Sequence, residues 1–224
     1  MTGYAQNWNV KIDNDFGVDF KCHMWYDEIK NKDFSSIIDY AHTNIISKNL
    51  HLTDTILSSR EDMHWIKHNL FVELKDDPTT KNIIKNIKRA YKDFVKEIEG
   101  EEKELYINGW LNILTKNMDL KRHCHGNHEN SYLSGNLTLT DCQTSVTKFI
   151  LPNWDNPTRF HTHPVKSKKG HFNLFPQWQY HWVEPIDEEL RITLGFDLHL
   201  KDAVDYYWQN NGDKDLPLSR AVKI

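Results

Sequence analysis

The stretch Leu190 to Leu198, LRITLGFDL, alternates without a break: Ile192, Leu194, Phe196 and Leu198 fall on one side, Arg191, Thr193, Gly195 and Asp197 on the other. A period of two belongs to a strand. One face is apolar and packs on a second layer, while the other is polar and can line a cavity. Working outward, Leu105 to Leu114, Tyr132 to Thr140 and Ser145 to Leu151 also read as strands. Before Gly100 the period is helical. Asp77-Pro78 has the form of an N-cap with proline in the first turn, followed by Ile83, Ile84, Ile87, Tyr91, Phe94, Val95 and Ile98, with Gly100 as a C-terminal stop. Phe34, Ile37, Ile38, Ala41, Ile45 and Ile46 form a second amphipathic segment that Asp33 can cap. Helices first and short strands after predict an α+β protein built on a β-sandwich or jelly roll.

Apolar residues at 38% and charged residues at 27% exclude a disordered chain. No repeat or Gly/Ser linker divides the 224 residues, which predicts one domain over 1–224 with a mainly helical part (1–100), a β core (101–200) and a C-terminal tail (201–224). A net charge of -4 gives no electrostatic case for general nucleic-acid binding. No apolar run reaches membrane-spanning length, and the polar N-terminus lacks a signal peptide's hydrophobic stretch. Cys22, Cys124 and Cys142 are odd in number and form no CxxC, so reduced thiols and a cytoplasmic location are expected. The lysines Lys81, Lys85, Lys88, Lys92 and Lys96 lie off the apolar stripe of their helix and read as a solvated face.

Three segments carry candidate chemistry. In Arg122 to Gly135, RHCHGNHENSYLSG, His123 and His125 are two apart, so on a strand both imidazoles point to one face and can converge on a metal. His128 follows three residues later. In Gly170 to Pro185, a glycine turn leads into a short apolar strand broken by Pro176, and His181 follows among aromatics. Arg191 then sits on the polar face of the last clear strand. A buried arginine there calls for an anion, and its planar fork suits a carboxylate. A surface salt bridge to Glu184, Asp187, Glu188 or Glu189 is the plainer alternative.

In this order the segments resemble the iron(II)/2-oxoglutarate oxygenase superfamily, in particular oxygenases common in marine phage genomes. The resemblance is carried by the tryptophan strand Trp110-Leu111-Asn112-Ile113-Leu114, the pair His123-Cys124-His125, Leu133-Ser134-Gly135, Phe175-Pro176, His181 and Arg191-Ile192-Thr193. It covers residues 105 to 200; each motif is weak alone, and the ordered set is fairly specific. It implies a double-stranded β-helix (a cupin-like jelly roll) with the N-terminal helices packed on its sheet. It further implies Fe(II) held by His123, His125 and His181, and 2-oxoglutarate gripped by Arg191, with Asn112 as a looser co-substrate contact. The implied activity is hydroxylation of an unactivated C–H bond with release of succinate and CO2, in the host cytoplasm if the chain is phage-encoded. The substrate class stays open among a small molecule, a peptide side chain and a nucleotide.

Two departures from the family pattern are visible. His125 stands where the family places a carboxylate, and counting back from Ser134-Gly135 instead of forward from Trp110 makes His128 the alternative ligand, with Glu129 a remote carboxylate. A three-histidine site would also suit a cupin-like metal enzyme that does not use 2-oxoglutarate, and a non-catalytic binding module is the third reading. His161-Thr162-His163-Pro164 reads as a loop that could shape the substrate entrance. Trp154, Trp178, Tyr180 and Trp182 are candidates for an aromatic wall at the mouth or for plain packing.

Overall fold

The computed structural model describes residues 3–10, 20–48, 69–126, 132–152, 160–205 and 221–224. Its strands are β1 (Tyr4–Val10), β2 (Phe20–Glu28), β3 (Leu105–Thr115), β4 (Leu120–His123), β5 (Leu133–Thr138), β6 (Val146–Pro152), β7 (Phe160–Lys166), β8 (His171–Pro176), β9 (His181–Val183), β10 (Leu190–Leu200) and β11 (Val222–Lys223). Helices α1 (Ser35–Asn44), α2 (Leu70–Glu73) and α3 (Pro78–Glu97) lie between β2 and β3.

The pairing order defines the architecture. One sheet runs β1-β2-β8-β5-β10-β3-β11 and the other β4-β9-β6-β7. From β3 to β10 the chain passes back and forth between the two sheets, and every pairing is antiparallel. This is a double-stranded β-helix, a jelly roll closed by two facing sheets. No helix among the described residues is long and apolar enough to cross a membrane.

The alternation in β10 sorts its residues as its sequence predicts. Ile192, Leu194, Phe196 and Leu198 join Ile107, Leu111, Leu137 and Leu174 in one buried layer with Ile37, Ile83, Ile87, Tyr91 and Phe94 of α1 and α3. The helices therefore cover the outer face of the larger sheet. Asp77 accepts from the Thr80 amide at 2.8 Å, capping α3 with Pro78 in its first turn. At the other end Glu99, not Gly100, takes the left-handed conformation (φ 53°), and the Gly100 amide returns to the Val95 carbonyl. Asp33 accepts from the Ser35 amide, one residue outside the position expected of a cap for α1. The five lysines of α3 are exposed.

The strand assignment departs from the sequence reading at both ends of the chain and in β7. Two strands precede the helices of the mainly helical N-terminal part: β1 and β2 extend the larger sheet, with Tyr4, Gln6 and Trp8 opposite Tyr26, Met24 and Cys22. His161 to Pro164 is strand, not loop. It lies in β7 at the edge of the smaller sheet, where a proline costs no ladder hydrogen bond. The C-terminal tail returns to the sheet, with Val222 opposite Ile107.

Candidate metal and anion site

Three histidines meet at one end of the space between the sheets. His123 closes β4 and pairs directly with His181, which opens β9. His125 does not continue the strand, as its spacing had suggested. It lies just past the end of β4, where its amide donates to the Gln177 carbonyl at 2.9 Å. Gln177 is 2% exposed and also spans to β5: its Oε1 accepts from the Tyr132 amide and its Nε2 donates to the Leu133 carbonyl. The two rings still face together, stacked at 5.3 Å and 13°. One ring nitrogen from each of His123, His125 and His181 lies within 4.8 Å of the others. His128 and Glu129 lie outside the described residues, as does Trp154.

Each ring is oriented through Nδ1. His123 Nδ1 donates to the Lys121 carbonyl at 2.7 Å, and His181 Nδ1 to the Gln179 carbonyl at 3.0 Å. His125 Nδ1 donates to Asp197 Oδ1 at 2.6 Å, with Ser134 Oγ 2.9 Å away. A carbonyl only accepts, so these bonds set the tautomer and leave Nε2 of each ring as the free atom, the form a metal requires. Burial, then the neighbouring imidazoles, push His123 down to about 4 and His181 well below its ordinary value. Both are therefore neutral lone-pair donors at neutral pH. The surroundings are aromatic: Phe149 stacks on His181, Phe175 meets its edge, and Trp110 lies 5.3 Å from His125. Gly195 makes room for Trp110, since a Cβ there would come within 2.9 Å of the indole. This donor set fits a divalent metal with open positions.

Further along the same space the inner face of the larger sheet is polar. Asn112, Thr193 and Thr138 lie side by side across β3, β10 and β5, and Asn136 and Asn173 are paired across β5 and β8. Asn112, Thr138, Asn173 and Thr193 are buried, and among the described residues Thr193 Oγ1 and Asn173 Oδ1 have no hydrogen-bond partner. Arg191 is 1% exposed and reaches across to the smaller sheet, where its hydrogen bonds among the described residues go to hydroxyls: Thr147 Oγ1 at 3.3 Å and Ser167 Oγ at 3.3 and 3.4 Å. Burial brings its guanidinium down to about 10, still charged at neutral pH. No carboxylate of the described residues forms an ion pair with it. Glu184 pairs with Lys148, Glu189 with Lys116, and Glu188 caps the amides of residues 143–145, so the surface salt bridge weighed for Arg191 does not form. Beside Thr147 and Ser167 opens a cavity of about 350 Å³, also lined by Asn136, Thr138, Asn173 and His163. That volume is in the range of small-molecule sites.

His163 does face this cavity, joined to Tyr26 across the sheets by a 3.0 Å hydrogen bond. Trp178 and Tyr180 are 38% and 46% exposed just before His181, and Trp182 is half-buried. Cys124 is half-buried and free. Asp197 and Gln177 were not singled out by sequence reasoning. Asp197 had a signal, because it shares the inward face of β10 with Arg191; Gln177 had none.

Fold and site thus define a double-stranded β-helix with a three-histidine cluster able to hold a metal ion. No protein-family model and no curated protein sequence matches the chain. Solved structures do. The viral collagen prolyl hydroxylase of Paramecium bursaria Chlorella virus-1 matches with a TM-score of 0.50 at 11% identity, over 78% of this chain and 89% of that one. A Pseudomonas putida prolyl-4-hydroxylase matches at 0.46 and 13% identity, over 56% and 69%. An oxidoreductase of the 2OG-Fe(II) oxygenase family from Burkholderia pseudomallei matches at 0.43 and 15%, over 55% of this chain and 59% of that one, less than two thirds of its length. At these identities the likeness is one of fold.

Proposed function

We propose that the protein is an iron(II)- and 2-oxoglutarate-dependent oxygenase, with His123, His125 and His181 holding the metal and Arg191 holding the distal carboxylate of the co-substrate. With both bound, the metal centre would supply hydroxylation of an unactivated C–H bond by O2, one oxygen atom entering the product and the other the succinate that forms as the co-substrate loses CO2.

The observation that carries this reading is Arg191. A guanidinium 1% exposed, with no carboxylate paired to it among the described residues, is a costly feature in a free protein. A bidentate carboxylate removes that cost. The unpartnered Thr193 hydroxyl, two residues along the same face, offers that anion a further donor. Asn112, directly opposite Thr193, is the looser contact. Phe149 and Phe175 pack around the buried His181, and their apolar surroundings strengthen the charge interactions of that ring. The substrate class is open among a small molecule, a peptide side chain and a nucleotide.

One observation favours a second reading. Among the described residues no carboxylate belongs to the cluster itself, as would suit a cupin-like metal enzyme that does not use 2-oxoglutarate. Anaerobic titration of the iron(II)-loaded protein with 2-oxoglutarate separates the two. The expected result is a weak visible metal-to-ligand charge-transfer band in wild type, lost in Arg191→Ala with iron still bound. No band in iron-loaded wild type would overturn the co-substrate assignment and leave the second reading.

A further inference from the structure

The cluster's missing carboxylate has a counterpart on the opposite sheet. Asp197 projects from β10, pairs in register with Ser134 of β5, and is 8% exposed. Its Oδ1 accepts from His125 Nδ1 at 2.6 Å and from Ser134 Oγ at 2.5 Å. A buried carboxylate is normally neutralised by a cation in contact, and Asp197 has no lysine or arginine partner among the described residues.

Resting on the reading that the three histidines hold a divalent metal, we infer that Asp197 is a positioning residue of that centre. It supplies through His125 the negative charge that none of these three histidines supplies directly. Three imidazoles leave a divalent ion with its full charge. An ionised carboxylate on Nδ1 raises the basicity of Nε2 and fixes the ring. Ser134 holds the carboxylate in place from the neighbouring strand. Because His125 lies past the end of β4, the ladder does not orient it, and Asp197 does.

The test uses Co(II), whose visible spectrum reports the number and kind of its ligands, titrated into metal-free full-length protein. Asp197→Asn keeps the shape and an acceptor but removes the charge, and is expected to weaken Co(II) binding by about 10- to 100-fold. His125→Ala weakens it at least as much, and the double variant no further, since the carboxylate acts only through that ring. Ser134→Ala gives a smaller loss in the same direction. Thermal melts of the metal-free variants separate a folding defect: a bracing role alone predicts lower melting with unchanged Co(II) affinity and spectrum, which overturns the inference. Additive losses in the double variant, or a wild-type oxygen-donor signature that disappears in Asp197→Asn, overturn it too, because Asp197 would then act apart from His125. Wild type that binds no Co(II) or Fe(II) sinks the metal reading itself, and this inference with it.

Discussion

A buried hydroxyl without a partner is a testable object. Thr193 Oγ1 has none among the described residues and lies on the polar side of β10 two residues from Arg191. Removing an unsatisfied polar atom while keeping its shape recovers a desolvation cost. Thr193→Val is therefore expected to leave the free protein as stable as wild type or about 1 kcal/mol more so. If Thr193 serves the co-substrate, the same variant weakens the stabilisation that 2-oxoglutarate gives the metal-loaded protein by several-fold. Melting curves with and without ligand read both effects, and an unchanged ligand shift removes Thr193 from the site. At this scale much was legible. His123 and His125 stand out by their spacing, Arg191 by its place on the polar face of a strand and His181 through the family resemblance, and these are the histidines that converge and the arginine that is buried. Asp197 and Gln177 were harder, because their roles depend on which strand lies opposite, and no local period encodes that.

Strands and turns place these residues, and one turn holds both ends of the anion region. Glu188 Oε1 accepts from the amides of Gln143, Thr144 and Ser145 and from the Thr144 hydroxyl, at 2.8 to 3.0 Å. That clamp ties the lead-in of β6, which carries Thr147, to the lead-in of β10, which carries Arg191. Burial alone would raise the Glu188 carboxyl, but these donors bring it down to about 2 from an ordinary 4.5. The unfolded chain therefore binds more protons between those values. The clamp's stability is fully present above about pH 4.5 and is lost as pH falls toward 2. Glu188→Gln is expected to cost about 1–2 kcal/mol at pH 7, discounted for partial solvation, and nothing near pH 2. Urea unfolding at the two pH values checks this, and a pH-independent difference would refute the clamp. Strong alternation made β3, β5, β6 and β10 legible as elements. Of the strands that escaped, β1, β7 and β11 are polar, proline-containing or very short and lie at sheet edges where only one side demands burial, whereas β2 and the three-residue β9 lie inside their sheets.

At the scale of the molecule, the proposed metal would act as a fastener between sheets. His123 and His181 belong to the smaller sheet, and His125 is held from the larger one through Asp197 and Ser134. A ligand that binds only this assembled arrangement stabilises the fold by mass action, about 2.7 kcal/mol at a hundredfold excess over its Kd. For a chain of 224 residues each kcal/mol raises Tm by about 2–4 °C, so saturating Fe(II) under anaerobic conditions should raise it by about 5–10 °C. A chelator should return the melt to its starting point. His181→Ala, which removes the most buried of the three rings, should abolish the shift, whereas Arg191→Ala should keep it, because the arginine serves the anion and not the metal. The remaining contrast is with 2-oxoglutarate: added after iron it should raise Tm again in wild type and not in Arg191→Ala. If both variants lose the iron shift, the anion region and the histidine cluster are one cooperative unit, and the division of labour between Arg191 and the histidines is wrong.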